Sequence, residues 1–162
     1  MSLSGPSTLA RVLGLAGLLP FMAGSAAVWL VGPQDRLPAA ALLAYAALIA
    51  SFLGGIQWGL AMRDSPADAA QLLWGVSSSL LGWLAILLPP RWGLLLAPVT
   101  LVVCYAVDCR IYRRLGLGAW LGLRAGLTGV ASVCCLLGAL AWWVRGPGKA
   151  LNAHAKTGCP AP

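Results

Sequence analysis

The stretch SFLGGIQWG, residues 51–59, lies near the end of a long uncharged run and decides how the chain folds. Ala47, Ser51, Gly55 and Gly59 recur at every fourth position, so in a helix they form one stripe with almost no side chain. In a membrane such a stripe lets a second helix approach closely, and Gly55 and Gly59 have the GxxxG spacing. The sequence therefore predicts a helix-packing face made by Ser51, Gly55 and Gly59.

The composition of the chain indicates whether this helix is surrounded by water or by lipid. Of 162 residues, 60% are hydrophobic and 9% are charged, whereas soluble domains carry about 25% charged residues. A helix needs roughly 20 apolar residues to cross a bilayer. Five uncharged runs near or above that length occupy residues 12–31, 37–62, 69–90, 92–107 and 125–144. The sequence predicts an all-α membrane protein, a polytopic bundle of five transmembrane helices with glycine-mediated packing.

The predicted transmembrane domain covers residues 1–145, and residues 146–162 are predicted to be a disordered polar tail. Pro20 and Pro98 lie inside apolar runs, and each lacks the backbone N–H that a helix uses there. A kink is expected at Pro20, in the middle of the first run. The expected helices span about 12–31, 37–62, 70–88, 92–110 and 123–144.

Two segments leave alternatives open. The fourth run is short, so it either crosses by continuing through Asp108 or forms a re-entrant hairpin with the third run. The first run shares features with a secretory signal peptide, although its length favours an uncleaved helix.

Gln57 places an amide inside the second run, where an unpartnered polar group is costly. Counting a similar depth on the other helices reaches Ser77, Tyr105 and Thr128, which together with Gln57 form a candidate polar layer. These groups either tie the helices together by hydrogen bonds or form a ligand or lipid-head-group site. A second GxxxG pair, Gly122 and Gly126, opens the fifth helix and is another expected packing site.

The net charge of +7 comes from basic residues at the ends of the apolar runs, not on a soluble face. This distribution favours anionic lipid head groups as partners and argues against nucleic acid. The loop after the fourth run is the strongest basic cluster, which predicts a cytoplasmic N-terminus and a C-terminus on the opposite side, although the basic residues after the last run argue the other way. The expected head-group contacts are Arg110, Arg113, Arg114 and Arg124.

No constellation for catalysis, a cofactor or a metal is visible. The single histidine, His154, lies in the tail, and the five cysteines show no CxxC or zinc spacing. The four aspartates lie at the ends of the runs, which does not predict a buried acid or a coupled pump. The sequence thus predicts no enzyme. It favours a structural, assembly or interaction subunit that docks a membrane partner or a second copy, with a small transporter or lipid-handling protein as the alternative.

Three motifs in order resemble an uncharacterised bacterial inner-membrane family related to mitochondrial transmembrane protein sixty-nine. Residues 13–21, LGLAGLLPF, are similar to its first-helix signature, and residues 51–59 to its second-helix motif. The loop after the fourth helix matches at Tyr105, Asp108, Arg110, Tyr112 and Arg113.

The resemblance covers about residues 13–140 and implies a multi-helix inner-membrane protein, bacterial or mitochondrial. Members often have histidine or a basic residue where this chain has Gln57, so the resemblance does not imply a titrating group there. It implies no activity.

Overall fold

The computed structural model describes residues 5–63 and 68–145. Within these ranges five segments, the first made of two short helices, are apolar and long enough to cross a membrane. The predicted fold class, an all-α bundle of five transmembrane helices, is confirmed. The predicted tail lies outside the described residues. The helices are α1 (Thr8–Ala16), α2 (Leu19–Val31), α3 (Leu37–Ala61), α4 (Ala69–Leu87), α5 (Pro90–Arg114) and α6 (Leu121–Arg145), with a 3-10 turn at Gly118–Trp120.

The first span is broken near its middle. Between α1 and α2 the chain makes a turn at Gly17 and Leu18, and Pro20 is the second residue of α2. Proline fits the first turn of a helix because its nitrogen needs no partner there. The carbonyl of Gly17 accepts a hydrogen bond of 2.8 Å from the Tyr45 hydroxyl on α3. The expected kink at Pro20 is therefore an interruption three residues earlier, held by α3.

Helix α3 is central and contacts α2, α4, α5 and α6, while α2 lies between α3 and α6. We call the membrane side at which α1 begins side A and the opposite side side B. Since successive spans alternate in direction, α3 and α5 end on side A, and α4 and α6 begin there. This alternation brings the ends of four helices together on side A.

The fourth span is a continuous helix. Pro98 is buried inside α5, which runs for 25 residues, about 37 Å at ~1.5 Å per residue. α4 has 19 residues, also enough to cross. The structure thus favours two crossings over a re-entrant hairpin. Because α5 continues to Arg114, four residues past its expected end, the loop that follows is shorter than expected.

Small residues let α3 and α4 approach closely. A Cβ added to Gly54 would collide with the Gly75 carbonyl and the Ser78 hydroxyl, and one added to Gly82 would lie 3.0 Å from the Ala47 Cα. Ser79 Oγ donates to Ser51 Oγ at 3.1 Å. Close backbone approach at small residues is the usual way in which helices pack in lipid.

The glycines that pack are not those that the sequence analysis selected. Within the described residues, a Cβ added to Gly55, Gly59, Gly122 or Gly126 would meet no heavy atom within 4 Å. One position on an α-helix is a rotation of about 100°, so Gly54 faces α4 whereas Gly55 faces outward. These four glycines therefore do not pack against another helix of this chain within the described residues, and their packing against a partner or a second copy stays a prediction. Ser51 does contact α4, as expected.

The outer surface is that of a protein in lipid. Large apolar side chains cover it, with Leu48, for example, 65% exposed. On side B, Arg91 lies over the rings of Trp92 and Trp143, and these two rings are 5.9 Å apart. Tryptophan with basic residues is typical of the membrane–water interface.

Candidate functional site

Four helices each contribute one polar side chain to a single cluster near side A. The residues are Gln57 on α3, Gln71 on α4, Asp108 on α5 and Arg124 on α6. Gln57 lies four residues before the end of α3, and Arg124 lies three residues after the start of α6. At ~1.5 Å per residue these positions are about 5–6 Å inside the helix ends. The cluster therefore lies just below the interface, inside the bundle.

Asp108 is the centre of the cluster. Its Oδ1 accepts from the Gln57 amide, and its Oδ2 accepts from Nη2 of Arg124 in an ion pair. Gln71 Nε2 donates to Gln57 Oε1 at 3.0 Å and to the Gln57 carbonyl at 3.1 Å. One chain of polar contacts thus links α4 to α3, α5 and α6.

These groups are removed from solvent. Gln57 is 1% exposed and Asp108 is 2% exposed, and the Arg124 side chain is 13% exposed. Burying a charge is costly unless it is paired and hydrogen-bonded, and both conditions are met for Asp108. Removing one partner of such a pair costs about 3–5 kcal/mol. The cluster therefore fixes the relative positions of the helices near side A.

The guanidinium of Arg124 has more hydrogen-bond donors than this ion pair uses. A guanidinium carries five N–H donors, and Nη2 is the atom that pairs with Asp108. Its Nε is buried and has no hydrogen-bond partner among residues 5–63 and 68–145. Unpaired buried donors are uncommon in proteins. Nε is closed off from a ligand, but the side chain is 13% exposed, so the guanidinium can donate to a further anionic or carbonyl partner through its terminal N–H groups without leaving Asp108.

Arg124 also lines a cavity of about 180 Å³ that is open on one side. The cavity lies between the first span, α3 and α6. Apart from Arg124 and Thr128, its walls are apolar side chains and glycine, and they include Phe21, Phe52 and Leu127. Thr128 follows Arg124 by one helical turn. The site thus joins a cationic end to an apolar interior.

The expected polar layer is only partly brought together. Gln57 has the partners that its amide requires, but Ser77 donates to the Leu73 carbonyl of its own helix at 2.9 Å. Tyr105 is half-buried, and Thr128 is buried beside the cavity. The layer of Gln57, Ser77, Tyr105 and Thr128 is therefore not one network.

Sequence reasoning missed Gln71 and did not predict that Asp108 is buried. Asp108 was placed at the end of a run, but α5 carries it six residues inside the helix. Arg124 was expected to contact head groups from a loop; the structure places it inside the bundle, where it pairs with Asp108 and lines a cavity, and its contact with a head group stays a prediction. Arg110, Arg113 and Arg114 are exposed, as a head-group contact requires. The signal available in the sequence was that two residues of opposite charge, Asp108 and Arg124, lie on either side of the loop between the fourth and fifth spans.

This fold, with apolar outer faces and a polar cluster inside, defines a multi-pass membrane protein. The chain belongs to the family described as "Protein of unknown function (DUF3429)", whose model matches residues 6–140. The match covers all of the first four spans and most of α6. It confirms the resemblance found in the sequence.

A curated relative is also similar. Over 81 residues the chain is 43% identical to "Transmembrane protein 69" of Xenopus tropicalis. The match covers 48% of this chain and 32% of the relative, so the chain spans about a third of the relative's length. No solved structure matches this chain.

Proposed function

We propose that the protein is a lipid-handling membrane protein that holds part of a bilayer lipid between its first span, α3 and α6. The cavity beside Arg124 carries this proposal. The sequence favoured an interaction subunit and left lipid handling as the alternative. The cavity and its cationic end now favour the alternative.

The size of the cavity indicates the kind of ligand. An engineered apolar cavity of about 150 Å³ holds a benzene molecule, and drug-sized ligands need at least about 300 Å³. The volume here, about 180 Å³, suits a short segment of hydrocarbon chain. Because one side is open, the remainder of the chain can lie in the surrounding bilayer.

The polarity of the cavity matches that of a lipid in the leaflet on side A. Its cationic end, at Arg124, lies close to the interface. On α6 the lining continues from Arg124 to Ala131, about 10 Å deeper at ~1.5 Å per residue. The first span forms the outer wall, and no residue of α1 is buried. A lipid would therefore enter from the side, past a loosely covered helix.

Two neighbouring substitutions test the proposal. Ile49 lines the cavity, so Ile49→Phe fills it, whereas Leu48→Phe adds the same ring to the outer surface. Native mass spectrometry in mild detergent should show one retained lipid per chain for the wild type and for Leu48→Phe. Ile49→Phe should lose most of it. Equal lipid retention by both variants, or none by the wild type, would contradict the proposal.

The outward-facing glycines support a second function, self-association. Gly55 and Gly59 leave a groove at GxxxG spacing on the exposed side of α3, and Phe52 and Met62 flank it with bulk that a second copy can pack against. A Gly55→Leu and Gly59→Leu variant should abolish dimers measured by single-molecule photobleaching in liposomes. Ala106→Leu, on the exposed face of α5, should not.

We further propose that side A is the cytoplasmic side of a bacterial inner membrane, with the C-terminus in the periplasm. Side A has six basic residues, whereas side B has two in its loops and three more, Arg145, Lys149 and Lys156, at or after the end of the last helix. The loops therefore support this orientation, and the residues at and after the end of the last helix oppose it. An excess of basic residues is typical of cytoplasmic loops. An alkaline phosphatase reporter fused after Pro162 should be active, and an inactive fusion would reverse the orientation. The side A residues are Arg11, Arg63, Arg110, Arg113, Arg114 and Arg124, and those in the side B loops are Arg36 and Arg91.

A further inference from the structure

We propose that the lipid held in the cavity is an anionic phospholipid whose head group binds Arg124, an inference that rests on the proposed lipid-handling function. Arg124 lines the cavity and keeps N–H donors beyond the one that contacts Asp108. Arginine is suited to phosphate because its planar fork matches the geometry of the oxygens.

Asp108 and Gln57 position this guanidinium. Asp108 accepts from Nη2 of Arg124 and is itself held by the Gln57 amide. A long side chain fixed in this way loses little conformational freedom when a ligand binds. Asp108 and Gln57 are therefore positioning residues, and Arg124 is the one that meets the head group.

The surrounding charge favours a lipid with net negative charge over a zwitterionic one. Side A carries six arginines and three aspartates, Asp64, Asp68 and Asp108, which leaves a balance of three positive charges. Arg11 precedes the cavity-lining Gly14 by one turn of α1. Basic residues near a membrane surface attract anionic lipid at about 1 kcal/mol each. The site thus combines a specific donor with a favourable field.

Competition between two lipids tests this inference. The purified protein is placed in nanodiscs of phosphatidylglycerol and phosphatidylcholine in equal amounts, extracted in mild detergent, and its retained lipid identified by native mass spectrometry. The wild type should retain phosphatidylglycerol in preference by at least about fivefold, the factor expected for one basic side chain.

The informative variant is the double substitution Asp108→Asn and Arg124→Gln. It removes both charges together, so it leaves neither one buried alone and keeps the net charge of the protein unchanged. We expect its preference for phosphatidylglycerol to fall about fivefold, to the level that the surrounding arginines alone supply. Arg63→Gln, which removes an exposed charge at the same end of the bundle, should keep the preference. Circular dichroism confirms that each variant is folded.

The outcomes separate the two proposals. Equal retention of both lipids by the wild type would overturn the anionic head group and leave lipid handling in place. A preference of the same size in the double variant as in the wild type would overturn the role of Arg124. If the wild type retains neither lipid, lipid handling itself fails. Single Arg124→Lys should keep part of the preference, because it keeps the charge and loses the planar fork.

Discussion

Replacing Arg124 by glutamine leaves the carboxylate of Asp108 buried without its cationic partner. Asp108 is 2% exposed, so water does not replace the lost contact. Breaking a buried ion pair on one side costs about 3–5 kcal/mol, mainly because the remaining charge stays desolvated. We expect Arg124→Gln to lower the free energy of unfolding by an amount in this range.

A double-mutant cycle separates this desolvation from simple loss of side-chain packing. The double substitution Asp108→Asn and Arg124→Gln leaves two neutral groups that can hydrogen-bond, so its cost should be within about 1 kcal/mol of the wild type. The interaction energy of the cycle is then expected to exceed about 2 kcal/mol. Exposed Arg63→Gln is the control and should change stability by less than about 0.5 kcal/mol.

The cycle can be measured by equilibrium unfolding in mixed micelles, in which sodium dodecyl sulfate is titrated against a mild detergent and helix content is followed by circular dichroism. All four forms must be measured at one protein concentration, because self-association would add to the apparent stability. An interaction energy near zero would show that Asp108 and Arg124 do not meet in the folded protein. The reasoning about the polar cluster would then be refuted.

The same unfolding titration checks two further expectations, and amide hydrogen exchange checks a third. Gly54→Ala should lower the free energy of unfolding by about 1–3 kcal/mol, because its Cβ meets the backbone of α4. Gly55→Ala adds its Cβ in open space, so it should be neutral or stabilising by up to about 1 kcal/mol. Equal effects of the two substitutions would contradict the observed packing. Gln57→Leu should cost about 1–3 kcal/mol, since it leaves buried partners unsatisfied; an unchanged unfolding curve would count against this. Tyr45→Phe removes the hydrogen bond to the Gly17 carbonyl and should speed amide exchange in α1 and α2 more than elsewhere; uniform exchange rates would contradict its bracing role.

The number of spans followed from composition, because apolar runs of membrane-crossing length can be counted directly. The face of α3 that packs against α4 could not be predicted from composition in the same way. Gly54 and Gly55 are adjacent, and the spacing of small residues does not say which of them faces a neighbour. That choice is made by the rotation of α3 against α4, which depends on contacts such as Ser51 with Ser79. The spacing of small residues thus indicated that α3 packs closely against another helix, but not which face of α3 does so.

Of the four residues in the polar cluster, the sequence predicted a buried polar group at only one. Gln57 stood out because it is polar in the middle of an apolar run. Asp108 and Arg124 have opposite charges and flank one loop, but charged residues beside a loop normally contact water, and their positions did not separate Arg124 from the exposed Arg113. Both lay inside the expected helices, close to the ends. In the structure α5 continues four residues further, to Arg114, so Asp108 lies deeper and is buried where it pairs with Arg124.

Photo-crosslinking tests the central claim, that a lipid lies inside the bundle, most directly. A phosphatidylglycerol with a diazirine in its acyl chain can be incorporated into liposomes with the protein, irradiated, and its attachment sites mapped by mass spectrometry of peptides. We expect labelling to concentrate on Leu53, Thr128 and Ala131, which line the cavity and are buried from the outer surface. Labelling spread evenly over outward-facing residues such as Leu48 and Val99 would contradict the account.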